Sequence, residues 1–323
     1  MSRKVLVTGG AGFVGSNLAL DLESKGFSVS VIDGLIEGSG ANLFNLDGFK
    51  GEFLKADIRK PEKYQSLLKD QDVVVHLAGH VSHVDSMIDP ENDFNHNALG
   101  TLRLLYSFKD NCPGSLFIYG GTRGQYGKVL NPPATKDTAL HPTDIYGVNK
   151  TAGEQYSLVL SRTNNINACS VRFTNAYGPR HQMKHSKWGI LNWFLRLAMD
   201  GKDLTVYGKG DQLREYAWIG DITNAFTKLC SIDPLKVNGE ILNLGAAERI
   251  SFAEMSEKIV NIVGLSKVVS VEWPEDRKSI EVGDFISDDS HSRKLLDWKP
   301  SLAIDEGLRN TFDFYNRYQS RYW

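Results

Sequence analysis

Apolar residues in the first two-thirds of the chain follow two alternating patterns. Short uninterrupted runs, "KVLVTGG", "SVSVIDG", "GEFLKADI", "DVVVHLAG", "SLFIYGG" and "INACSVRFTN", each close on Gly, Asp or Asn. Runs of this length, rich in β-branched residues, read as strands buried on both faces, as in a parallel sheet. Between them, "GSNLALDLESKG", "PEKYQSLLKD", "NALGTLRLLYSFKD" and "YGVNKTAGEQYSLVLSRT" repeat apolar residues at helical spacing. The alternation predicts an α/β fold: a Rossmann-type doubly wound parallel sheet over 1–178. After Gly178 the pattern loosens. "NWFLRLAMDG" reads as a helix, "DLTVYGKG" as a strand and turn, and "SFAEMSEKIVNIVG" as an amphipathic helix capped by Ser251. A smaller α/β C-terminal domain is expected over 179–323, the chain returning to the first domain around 216–245.

Charge and composition narrow the partners. A formal net charge of −2 gives no general electrostatic case for nucleic acid or an anionic membrane. Cys112, Cys169 and Cys230 are far apart, so neither a disulfide framework nor a zinc site is suggested, and a cytoplasmic location is expected. No apolar stretch approaches the ~18 residues of a membrane span, and the N-terminus lacks a signal-peptide pattern.

The first strand and helix carry a phosphate-binding pattern. In "VLVTGGAGFVGSNLA", Gly9, Gly12 and Gly15 are three apart, and Gly10, Gly12 and Gly15 also satisfy the dinucleotide fingerprint. Glycines suit a tight turn that lets a pyrophosphate approach the backbone at a helix N-terminus, with Phe13 and Val14 in its first turn. Asp33 ends the second strand, where a carboxylate receives ribose hydroxyls and repels a 2′-phosphate; NAD is therefore expected over NADP. Asp57 with Ile58, and Leu77, Ala78 and Gly79, also stand at strand ends, where such sheets bind ligands; Asp57 taken alone reads equally as a surface turn.

Tyr146 and Lys150 in "DIYGVNK" lie four apart and share a helix face. A free tyrosine is a poor base at neutral pH. A neighbouring ammonium and a positively charged oxidised nicotinamide would lower its pKa, so that Tyr146 could take a proton from a sugar hydroxyl. Spacing alone does not separate this from an ordinary surface pair.

The ordered set "TGGAGFVG", "HLAG", "NALGT", Thr122-x-x-x-Tyr126-Gly127, "YGVNK", "RFTNAYGPR" and "REYAWIGDI" resembles the extended short-chain dehydrogenase/reductase superfamily. More narrowly it resembles the NAD-dependent nucleotide-sugar epimerases and dehydratases, including the UDP-glucose 4-epimerase type. The likeness runs from Val5 to about Phe314. It implies a catalytic set of Thr122, Tyr146 and Lys150, with Asn97 on the cofactor. It also implies a nucleotide-diphosphate sugar held by Asn175, Tyr207, Arg214 and Arg277, and a homodimer formed through helices around 98–109 and 146–161. "RHQMKHSKWG" is expected to fold over the sugar, with His185 and Lys187 as contacts.

Within that family, 4,6-dehydratases carry an Asp-Glu pair directly after the catalytic threonine, and decarboxylases keep a glutamate at the second position. This chain has Arg123-Gly124. An epimerase needs neither acid, so epimerisation is favoured, with C4 as the oxidised carbon. "HLAGHVSHVDSMIDPENDFNHNALGT" and "KHSKWGILNWF" resemble the C2-epimerising branch of the CDP-tyvelose type, which stays open, as do dehydratase or decarboxylase activity and a non-catalytic NAD sensor. Arg123 could face an acidic substituent of the sugar or turn toward solvent. His80, His83, His96 and His185 lack metal-ligand spacing and read as satisfied or solvent-facing, so no metal is expected.

Overall fold

The structure is a computed structural model that describes residues 2–163, 165–275 and 283–323. Its strands are β1 (Lys4–Thr8), β2 (Ser28–Asp33), β3 (Glu52–Lys55), β4 (Val73–His76), β5 (Leu116–Thr122), β6 (Asn167–Phe173), β7 (Asn175–Tyr177), β8 (Leu204–Tyr207), β9 (Leu213–Trp218), β10 (Ile241–Leu244), β11 (Arg249–Ser251) and β12 (Val268–Val271). Among the described residues a seven-stranded sheet runs β10-β6-β5-β4-β1-β2-β3, with every pairing parallel. The chain builds outward from β1 through β2 to β3, then restarts on the other side with β4. Strand order therefore reverses between β1 and β4, and a crevice opens there beyond the carboxyl ends of the strands.

The uninterrupted apolar runs have a direct packing reason. Side chains alternate across a strand, and both faces of this sheet are covered. Val5 and Val7 of β1 point to one face, where they meet Leu18 and Leu22 of helix Phe13–Ser24 and Ile222 and Phe226 of helix Ile219–Ser231. Leu6, between them, points to the other face with Val74, Phe117, Leu104 and Phe108, the last two from helix Gly100–Asn111. All of these are fully buried. Burial of one such side chain stabilises the fold by about 1.5–3 kcal/mol. Helix Ile145–Arg162 begins at Asp144, whose carboxylate accepts the Gly147 N–H at 2.8 Å.

"PEKYQSLLKD" does not form one helix. It splits into a 3₁₀ turn, Pro61–Lys63, and a short helix, Gln65–Leu68, because buried Tyr64 turns inward and donates its hydroxyl to the Ile58 carbonyl at 2.8 Å. β10, "ILNL", was not singled out in the sequence; it extends the sheet by pairing with β6. A second core joins helices Ile190–Met199, Phe252–Val263 and Ile304–Tyr318 through Leu191, Phe194, Met255, Ile259, Leu308 and Tyr315. Around it lie a three-stranded sheet, β11-β9-β7, and a two-stranded one, β12-β8.

Candidate active site

A cavity of about 340 Å³ opens at the strand-order reversal and runs from the glycine turn to Tyr146, Lys150 and the loop around Trp188. Its volume lies within the range of small-molecule sites, ~300–1,000 Å³.

One end is shaped for a dinucleotide. Gly9 has φ +71°, and a Cβ on it would lie 2.7 Å from the Ala78 nitrogen, so both conformation and space demand glycine. Helix Phe13–Ser24 starts at Gly12 with no side chain capping it and no acid in its first turn, leaving its N–H groups and positive dipole end toward the cavity. Gly15 admits the close passage of the Gly9 carbonyl. Asp33 accepts N–H bonds from Ala11 (3.0 Å) and Leu35 (2.8 Å), one on each oxygen. An ionised carboxylate offers about four acceptor sites, so lone pairs remain for ribose hydroxyls. Burial pushes the Asp33 pKa up, and the two N–H groups oppose that rise. Asp57, Ile58, Leu77, Ala78 and Gly79 also line this end. Asp57 is fastened by Arg59, whose Nη2 lies 2.6 Å from Oδ2; burial alone would raise its pKa, but these bonds hold it below the ordinary value.

Asn97 is 1% exposed and is not on the cavity wall. It accepts the His80 N–H (3.1 Å) and donates to the His80 carbonyl (2.8 Å), holding the backbone just after Gly79. Beneath it runs a hydrogen-bond chain that the sequence did not suggest. The Thr101 hydroxyl donates to the Asn97 carbonyl (2.6 Å) and so receives His76 Nε2–H (2.9 Å); His76 Nδ1 then accepts from Thr8 Oγ1 (2.8 Å). Thr8 Oγ1 in turn accepts the Ala78 N–H at 3.3 Å. Burial holds the His76 pKa down to about 3, so the ring is neutral and its tautomer is set by its neighbours.

The other end brings Thr122, Tyr146 and Lys150 together. Thr122 ends β5 and has two tasks. Its hydroxyl accepts the Gly124 N–H at 3.2 Å, while Gln125 Oε1 accepts the Thr122 N–H at 2.8 Å, a reciprocal cap on the following turn. The same side chain acts on the Tyr146 phenol, favouring its ionised form. Tyr146 and Lys150 are 7% exposed each. Lys150 Nζ stands 4.5 Å from the centroid of the Tyr119 ring, and the Tyr119 hydroxyl donates to the Lys150 carbonyl at 3.0 Å.

The expectation that Lys150 lowers the Tyr146 pKa is not what the chain by itself shows. Burial raises the phenol above its ordinary value, outweighing Thr122 and nearby Arg123. Burial also pulls the Lys150 ammonium down to about 8, against the opposing pull of Asp93 and Glu154. Both charged forms lose hydration in the same dry pocket, which the sequence spacing could not convey.

Substrate-side expectations divide. Arg123 and Asn175 both line the cavity and pair with each other, Arg123 Nε donating to Asn175 Oδ1 at 2.8 Å; the guanidinium also lies 5.4 Å from the Phe285 ring centroid. Arg123 thus faces the site and not solvent. Lys187 lines the cavity but spends its ammonium on Asp85 Oδ1 at 2.7 Å, strapping the loop to the short helix His83–Ile88. His185 is not on the wall; its ring packs edge-on against Trp188, which is. Tyr207 stacks with Trp273, 5.4 Å between ring centroids, and Arg214 donates to the Leu213 and Gly283 carbonyls; neither residue lines the cavity. Arg277 lies outside the described residues.

Two of the histidines expected to be satisfied or solvent-facing have carboxylate partners. His83 lines the cavity, its Nδ1 is 2.6 Å from Asp144 Oδ2, and its ring meets Tyr146 edge-on at 5.0 Å between centroids. His80 pairs with buried Asp93 at 3.3 Å. His181, unremarked in the sequence, is buried, held neutral with a pKa of about 4 by desolvation, and packs on Phe13 of the glycine turn. Trp188 and Ile36, also on the wall, had no sequence signal beyond their hydrophobicity.

Known proteins resemble this chain over nearly its whole length. The profile of the NAD-dependent epimerase/dehydratase family matches residues 5–245. The low-salt glycan biosynthesis protein Agl12 of Haloferax volcanii is 32% identical, the alignment covering 96% of this chain and 98% of that protein. UDP-glucuronic acid decarboxylase 1 of Xenopus tropicalis is 27% identical over 98% of this chain and 72% of its own length. Among solved structures, the UDP-glucose 4-epimerase of Thermotoga maritima with UDP-glucose superposes with a TM-score of 0.86 at 25% identity, covering 98% of this chain and 100% of that one.

Proposed function

This chain belongs to the NAD-dependent epimerase/dehydratase family, and we propose that within it the protein is a nucleotide-sugar epimerase. One observation carries the choice among the family's reactions. Among the described residues lining the cavity, the only carboxylates are Asp33 and Asp57, both at the dinucleotide end. Beside Tyr146 the turn offers Arg123 and Gly124, so elimination has no carboxylic acid on the wall with which to expel a hydroxyl. Inversion of a carbinol carbon needs only one group to take and return the hydroxyl proton.

NAD, when bound, supplies the hydride acceptor and returns the hydride. The glycine turn, the open N-terminus of helix Phe13–Ser24 and Asp33 are the groups that would hold it. Tyr146 is the acid/base: its phenolic oxygen takes the proton from the sugar hydroxyl and gives it back. Thr122 shares that sugar oxygen, and Lys150 keeps a positive charge beside the phenol. Burial holds the Tyr146 pKa up in the chain alone; a positively charged nicotinamide beside it would favour the phenolate. C4 is the favoured carbon and a UDP-sugar the favoured substrate class, by likeness to the Thermotoga enzyme; C2 inversion is the second reading, carried by the resemblance around "KHSKWGILNWF".

A division into two domains at about residue 178, with the chain returning to the first near 216–245, is part of this reading. It is supported by the two separate cores and by the pairing of β10 with β6. A homodimer through helices Gly100–Asn111 and Ile145–Arg162 is proposed on their exposed Tyr106 (50%), Val148 (48%) and Val159 (50%); sedimentation as a monomer would remove it. A cytoplasmic location is supported by three buried, unbridged cysteines.

The test of function is incubation with UDP-, CDP-, GDP- and dTDP-sugars followed by proton NMR. A new stereoisomer with no lasting keto product is expected. Tyr146→Phe is expected to lower turnover by about 10²–10⁴-fold with cofactor still bound; full activity in that variant would overturn the assignment.

A further inference from the structure

Gly124 stands where related elimination enzymes place an acid, and the space above it is not empty. A Cβ on Gly124 would lie 3.3 Å from His83 Cε1 and 3.6 Å from Thr122 Oγ1. The imidazole therefore fills the volume that a side chain at 124 would enter. It comes from the other side of the site, at the start of the short helix His83–Ile88.

Asp144 fixes this ring. Oδ1 accepts the Gly147 N–H at 2.8 Å, and Oδ2 lies 2.6 Å from His83 Nδ1. An ionised carboxylate only accepts, so Nδ1 carries a proton and, in the neutral ring, the lone pair is on Nε2. With Nδ1 engaged, Nε2 is the nitrogen left for the cavity that His83 lines. The charged and titratable groups against the ring are Asp144 and Tyr146, from the longer helix and its cap, and Arg123 of the turn acts on the Tyr146 phenol. Asp85 belongs to its own helix, with Lys187 bound across it, and the His80–Asp93 pair precedes it.

We propose that His83, oriented by Asp144, is a second proton carrier of the site, working from the space over Gly124 alongside Tyr146. Nε2 uses its lone pair to take the proton of a second sugar hydroxyl, next to the one that Tyr146 serves; the O–H bonding pair stays on that oxygen, and the imidazolium later returns the same proton to it. Nδ1–H stays with Asp144 throughout, whose charge stabilises the imidazolium; no net oxidation or reduction is involved. The proposal rests on the cavity holding a nucleotide sugar.

Asp144 also caps the helix carrying Tyr146 and Lys150, so the test is made at His83. The pH dependence of kcat/KM for UDP-glucose epimerisation is compared for wild type, His83→Gln and His83→Phe. Wild type should lose rate as pH falls and Nε2 is protonated. Both variants should lose that limb and about 10²-fold of the neutral-pH rate. If His83→Phe keeps the rate, or either variant keeps the acid limb, the ring only props Tyr146 and the proposal is wrong. A second readout needs no turnover: the His83 Cε1–H NMR signal, identified by its absence in His83→Gln. Its titration midpoint should move when UDP-glucose binds; a midpoint that stays put while other resonances report binding overturns the proposal and leaves the epimerase reading standing. No binding by any of the four nucleotide-sugar classes would remove the reading on which both stand.

Discussion

Replacing Lys150 by Met should make the cofactor-free protein more stable while abolishing its activity. The ammonium is 7% exposed and burial draws its pKa from 10.5 down to about 8. At about 1.36 kcal/mol per tenfold change, the charged form costs the native state about 3 kcal/mol at neutral pH. Its position 4.5 Å over the Tyr119 ring returns about 1 kcal/mol, which Met would forfeit. The net gain is about 2 kcal/mol, or about 3 °C in Tm for 323 residues. The pH dependence follows from the sign. Between about 8 and 10.5 the native state has released this proton and the unfolded chain has not, so wild-type stability rises with pH there. The penalty is fully present below about 8, and the advantage of the variant should shrink toward zero as pH approaches 10.5. Urea unfolding of both proteins, stripped of cofactor, at pH 7 and at pH 10 measures this. A variant less stable than wild type at pH 7, or a difference that grows with pH, would refute the reasoning. An active site that keeps a buried ammonium is a case of stability given up for function.

Three further outcomes are expected. Asp33→Asn should weaken NAD binding by about tenfold or more and narrow the preference over NADP, read by fluorescence titration with both; unchanged discrimination would mean the carboxylate does not face the ribose. Gly9→Ala combines a left-handed backbone with a Cβ 2.7 Å from the Ala78 nitrogen, and should destabilise the fold by about 2–4 kcal/mol in urea unfolding as well as weaken NAD binding. Arg123→Ala should lower kcat/KM for a UDP-uronate more than for UDP-glucose; equal losses would show that Arg123 serves mainly to hold Asn175.

Elements whose causes are local are written in residue type and spacing. Uninterrupted β-branched runs make strands covered on both faces, and "YGVNK" puts Tyr146 and Lys150 on one helix face, since residues four apart share a face. The glycine turn with Asp33 was legible for the same reason: close approach and positive φ leave a mark in residue type. Thr122, Arg123 and Gly124 were legible as a turn with no acid.

What stands opposite that turn depends on how the chain closes. His83 and Asp144 are far apart in sequence and meet over Gly124 because separate strand–helix connections deliver them to one end of the sheet. The same holds for Lys187 on Asp85, for Asn97 on His80 and for β10 beside β6. It also holds for the pKa directions of Tyr146 and Lys150, which depend on how much water the assembled pocket excludes. Spacing encodes neighbours within an element; burial and partners across elements exist only once the chain has closed on itself.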